Sequence, residues 1–246
     1  MRRLFPFLLV AFVLLPEMAA AAGLPTITMG VQEATEPGQV STALQVIVLL
    51  TVLSMAPAIL LMTTGFTRIV IVLSFVRQAM GTQSAPSNQI VVGLALFLTF
   101  FVMTPVFNQI NETALQPYLA EKISQQQALE NAVKPVRGFM FSQVGEKDLQ
   151  LLLDISKSEQ PETKEDVSLL TLIPAFMLSE LKRAFEMGFL IFVPFLVIDM
   201  VVASILMAMG MMMLPPIIIS LPFKILLFVL VDGWSLVIGS LVKSFG

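Results

Sequence analysis

The chain predicts an all-α integral membrane protein, and three observations carry that class. Of 246 residues, 57% are hydrophobic and 13% charged, with a mean hydropathy of +0.89. Soluble domains carry about 45–50% apolar and about 25% charged residues, so too little polar surface remains here to cover a water-soluble globule. Charge is also absent over long stretches, between Glu36 and Arg68 and between Arg77 and Glu112. Finally, the one polar region keeps its few apolar residues at helical spacing: Leu115, Tyr118 and Leu119, then Leu149, Leu152 and Leu153.

The elements follow in order. Residues 1–22 read as a signal peptide, with Arg2 and Arg3 before an apolar core and alanines at 19–22. The apolar core Leu4–Leu15 is short for a spanning helix, which needs about twenty residues. Cleavage after Ala22 would send the mature N-terminus to the extracytoplasmic side. Residues 23–43 read as a short exposed lead-in. The first hydrophobic helical region covers 44–107. In it, Leu44–Met62 is a spanning candidate kinked at Pro57, and Ile90–Phe107 is a second. Between them, Gly65–Met80 holds Arg68 and Arg77 on opposite sides of a helix, about 180° around its axis, so it forms no single polar stripe and wants protein around it. Gly81–Asn88 is a turn by composition.

Residues 108–168 hold ten acidic and six basic side chains and predict a small helical domain. Its negative balance suits the periplasmic side, since cytoplasmic loops tend to be rich in Lys and Arg. The second hydrophobic helical region, 169–246, is expected as a membrane-approach helix over Thr171–Glu186, a span over Met187–Met209, a Met-rich turn over Gly210–Pro216 and a last span over Ile217–Val242.

Composition excludes much chemistry. With no Cys and no His, the chain lacks thiolate nucleophiles, zinc–thiolate sites, the commonest metal ligand and the usual general base near neutral pH. No catalytic residue, metal site or cofactor is assigned, and a net charge of −3 makes no case for nucleic acid.

Three features remain. Met200, Met207, Met209, Met211, Met212 and Met213 cluster beside Pro215-Pro216. Flexible thioethers suit surfaces whose partner changes shape, although they also fill gaps in packed helices. Arg68, Arg77, Glu186, Asp199, Lys224 and Asp232 sit in or beside apolar sequence, where a central Arg, Lys or Asp costs about 2.5–3.5 kcal/mol. Such charges pair to fix assembly, or they relay protons or ions. An aspartyl protease using Asp199 and Asp232 lacks the expected Gly-x-Gly-Asp setting. Prolines 57, 105, 174, 194, 215, 216 and 222 border or interrupt the apolar segments, a density that is easier to satisfy in an oligomer or around a cavity than against lipid.

Two blocks, Gly65–Val106 (GFTRIVIVLSFVRQAMGTQSAPSNQIVVGLALFLTFFVMTPV) and Ala184–Trp234 (AFEMGFLIFVPFLVIDMVVASILMAMGMMMLPPIIISLPFKILLFVLVDGW), closely resemble the FliP family of flagellar and virulence type III secretion. The resemblance implies a non-enzymatic, pore-forming subunit of the flagellar export gate in the bacterial inner membrane. It implies kinked helical hairpins that assemble into a helical homo-oligomeric ring, a pentamer, with FliQ, FliR and FlhB as neighbours and FliO as assembly helper. It also implies a periplasmic portion, and a pore gasket built from Met207, Met209, Met211, Met212 and Met213, through which unfolded flagellar proteins pass. The competing reading is an ion-coupled secondary transporter using Asp199, Lys224 and Asp232.

Overall fold

A computed structural model describes residues 37–82, 85–156, 161, 163–211 and 213–246. The expected signal peptide, residues 23–36 of the lead-in, and Met212 lie outside the described residues. All regular elements among the described residues are helical. The chain divides into two compact units, 1–51 and 52–246.

In the first unit the described residues begin helix α1 (Pro37–Met62). Pro37 suits a first turn because its missing N–H would have no intrahelical partner there. The helix therefore starts inside the segment expected as lead-in. The rest of this section concerns the second unit.

Helix α2 (Phe66–Ala79) buries Arg68, Ile69, Val72, Leu73, Val76 and Ala79, one face at helical spacing. It packs most extensively along α7 (Leu169–Ala208). The approach is close because Gly188 has no side chain: a Cβ there would lie 2.5 Å from the Phe75 ring. Gly81, at φ +76°, ends the α2 segment in the left-handed region.

Helix α3 (Asn88–Ile110) continues through a π-helical turn (Asn111–Leu115) into the short α4 (Gln116–Leu119). Pro117 offers no N–H to the carbonyl four residues earlier, and the Gln116 N–H bonds instead to the Asn111 carbonyl, the wider π spacing. The Thr113 carbonyl freed in this way accepts from Asn131 Nδ2 at 3.2 Å. Leu115, Tyr118 and Leu119 are exposed on this extension.

Helix α5 (Gln125–Gln143) opens with a reciprocal cap between Ser124 and Gln127, and α6 (Glu146–Ser156) follows. Residues 108–156 are thus largely helical, as the spacing predicted, but this region does not pack alone. Met140 and Val167 share a core with Leu172 and Phe176 at the start of α7. Arg137 reinforces the seam by donating to the carbonyls of Lys164, Glu165 and Val167.

The second hydrophobic region departs from expectation twice. The approach helix over Thr171–Glu186 and the span over Met187–Met209 form one helix, the 40-residue α7. No Gly or Pro breaker falls at 186–187, and the prolines at 174 and 194 are carried inside the helix. Conversely, the single span expected over Ile217–Val242 is two helices, α8 (Pro216–Leu230) and α9 (Gly233–Lys243), bent by 64°. The break is at Asp232, in the left-handed region at φ 51°. Gly233 leaves room for the Phe228 ring, which meets Trp234 edge-on at 5.3 Å and Phe195 at 6.2 Å. Among the described residues two helical stretches, Asn88–Leu119 and Leu169–Ala208, are long and apolar enough to cross a membrane, or up to four if each bent pair counts as one.

Candidate functional site: two ion-pair centres and a methionine bend

The first centre is built on Arg68. Its guanidinium is fully buried and faces Glu180, also fully buried, on α7. Nε donates to Glu180 Oε2 at 2.9 Å and Nη2 donates to Oε1, the two-pronged geometry that a planar guanidinium and carboxylate favour. Nη2 also donates to Gln143 Oε1 at 3.0 Å, and Nη1 donates to both the carbonyl and the hydroxyl of Ser244 at 2.9 Å. The guanidinium carbon lies 3.9 Å above the Phe245 ring, whose edge fills the space left by Gly65. Gln143 closes the ring of contacts: its amide donates to the Phe245 carbonyl, and its oxygen also accepts from Arg183. One arginine thereby ties α2, α5, α7 and the residues after α9. A buried charge is tolerable only when paired and fully hydrogen-bonded, and among the described residues no buried side-chain polar atom lacks a partner.

The second centre joins α7 to α8. Lys224 is buried, and its Nζ donates to Asp199 Oδ2 at 2.6 Å. The buried Ser220, one turn before Lys224, donates to the other carboxylate oxygen. Gly81 comes close as well; a Cβ there would lie 3.9 Å from Lys224 Nζ. Asp199 keeps 26% of its side chain exposed.

Not every charge expected to be buried is so. Within this chain Glu186 and Asp232 are exposed and Arg77 is half-buried. Position 186 lies about 200° around α7 from both Ala184 and Gly188, which face α2. Asp232 sits at the bend, where its side chain caps nothing. Among the described residues the Arg77 guanidinium donates to the Pro86 carbonyl alone, at 3.5 Å. Composition had also missed Glu180, Gln143 and Ser220. Glu180 had a signal: it continues the series Leu172, Phe176 and leads to Ala184 and Gly188, every fourth residue on the buried stripe of α7.

The methionines form the bend between α7 and α8. Met207, Met209, Met211 and Met213 are all exposed, Met209 at 64% and Met213 at 98%. Gly210, at φ +74°, turns the chain there, and Pro215 and Pro216 start α8. The result is a row of thioethers with no core to fill.

The sequence pattern of the FliP family matches residues 49–241, which include both ion pairs and the methionine bend. The chain belongs to the FliP family. Similar relatives include the flagellar biosynthetic protein FliP of Bacillus subtilis, 57% identical over 211 residues, covering 86% of this chain and 96% of the relative. The protein of that name from Caulobacter vibrioides is 51% identical over 236 residues, covering 96% and 87%. That from Pectobacterium carotovorum is 54% identical over 203 residues, covering 82% and 79%. Within this FliP-family chain, both ion-pair centres hold helices together, and the methionines at the bend are exposed.

Proposed function

We propose that this chain is the core pore-forming subunit of the flagellar type III export gate, a homo-oligomeric ring passing unfolded flagellar proteins across the inner membrane. FliQ, FliR, FlhB and the assembly helper FliO are its proposed neighbours, residues 108–168 its periplasmic portion, and residues 1–22 a cleaved signal. The observation that carries this reading is the methionine bend. Met207 at the end of α7 and Met209, Met211 and Met213 in the turn beyond it are exposed, although apolar side chains left that open normally seek cover. Met212 belongs to the same proposed gasket. A ring of such turns supplies a seal apolar enough to exclude ions and supple enough to part around an extended chain.

The transporter reading asks Asp199, Lys224 and Asp232 to act in series. Asp199 and Lys224 close on each other, and Asp232 makes no ion pair among the described residues. The test is small-solute permeability of cells that express the complete gate with Met209, Met211, Met212 and Met213 replaced by Ala. Assembled but leaky gates are expected. Assembled and tight gates would move the seal elsewhere and overturn the gasket.

A further inference from the structure

Glu186 is a carboxylate with no hydrogen bond or ion pair among the described residues, and it lies on the exposed strip of α7 with Phe185, Phe189 and Leu190. Lys182, one turn earlier on that strip, forms no ion pair with it. Left against lipid, such a charge is costly, so protein is the better cover. The available cover has a complement in the same chain. Among the described residues Arg77 holds its guanidinium on a single long bond to a carbonyl.

The two groups are placed for a head-to-tail contact. Helices α2 and α7 run parallel: Thr67 lies beside Met177, Arg68 beside Glu180, and Phe75 beside Phe185 and Gly188. Arg77 and Glu186 therefore stand at the same level, within about one helical turn. Their directions are opposed. Arg77 lies about 200° around α2 from Phe75, which faces α7, and Glu186 lies about 200° around α7 from Gly188, which faces α2. One group leaves the pair of helices on the α2 side, the other on the α7 side. A contact between unlike faces at constant level is the kind that closes a ring of identical subunits. The aromatic cleft lined by Phe75, Gln78, Phe185, Phe189 and Phe192 adjoins the carboxylate and adds apolar surface to cover.

We infer that Glu186 of one copy pairs with Arg77 of the next, so that the occupant of the α7 strip is a second copy of this chain. This rests on the homo-oligomeric reading above. Because the chain has no Cys, Arg77→Cys and Glu186→Cys can be placed on separate copies, co-expressed and treated with a short bis-maleimide in membranes. Cross-linked dimers are expected from the mixture and a ladder from the doubly substituted chain. Arg77→Glu alone and Glu186→Arg alone should each lower oligomer yield on the order of tenfold, and combining them should restore it. A wild-type homo-oligomer with neither cross-link nor rescue overturns the pairing and leaves the ring standing. So does a Glu186 that responds to Lys182→Ala and not to Arg77→Ala. A wild-type chain that is monomeric in mild detergent overturns both.

Discussion

Arg68 and Glu180 lie 112 residues apart in sequence and meet at 2.9 Å, Nε to Oε2, with both side chains wholly out of solvent. Neither charge has water to fall back on, so their value lies less in what the pair adds than in what is lost when it is halved.

Removing one member leaves the other buried and uncompensated. Glu180→Ala is expected to destabilise the chain by about 3–5 kcal/mol, and Arg68→Ala by at least as much, since it also releases Gln143 and Ser244. Loss of folded protein in a thermal scan of the detergent-solubilised chain is the measurement. Full retention of stability in Glu180→Ala would show that the pair is dispensable.

The Lys224–Asp199 pair should respond differently, because Asp199 is partly exposed. Lys224→Met leaves a carboxylate still bonded to Ser220, and a loss of about 1–3 kcal/mol is expected. Adding Asp199→Leu should recover most of it, since apolar pairs often replace buried ion pairs without penalty. If the double variant is less stable than Lys224→Met, the carboxylate has work beyond balancing the lysine.

Gly188 tests the α2–α7 approach. A methyl group there meets the Phe75 ring at 2.5 Å, so Gly188→Ala should cost about 1–3 kcal/mol by overpacking. Trimming the ring with Phe75→Leu in the same chain should return part of the loss. An unchanged melting temperature in Gly188→Ala would mean the two helices separate easily.

The side of the membrane that residues 108–168 occupy can be read by labelling. Gln150, exposed on α6, becomes the sole thiol in Gln150→Cys. A membrane-impermeant maleimide added to intact spheroplasts is expected to modify it. Modification only after the inner membrane is opened would reverse the placement.

The sequence disclosed the helical class, the helical middle segment, the turn after α2 and the bend at the methionines. Each rests on local signals: hydropathy, spacing, Gly and Pro. It misjudged where helices end, because nothing local separates Glu186 from Met187, while the break at Asp232 comes from a tertiary event, the Phe228 ring seated over Gly233. The charges divide in the same way. Lys224, Asp199 and Arg68 were visible as charges in apolar sequence, but which partner each takes was not, since Asp199 lies 25 residues from Lys224 and Glu180 lies 112 from Arg68. Glu180 sits among Ser179, Lys182 and Arg183, where a carboxylate looks like part of a wet surface until the four-residue rhythm of its stripe is counted.

The unbroken run of α7 sets a ruler against the bilayer. Forty residues at about 1.5 Å each make a rod of about 60 Å, and a hydrocarbon layer is about 30 Å thick. Tilt alone cannot absorb a twofold excess. Set across a bilayer, about half of this rod stands clear of the acyl chains, although large apolar side chains such as Leu170, Phe189 and Val201 are exposed along its whole length. Out there, neighbouring chains have to serve as the solvent that lipid would otherwise be. Hydropathy reports that α7 shuns water and is silent on which oily medium keeps it dry.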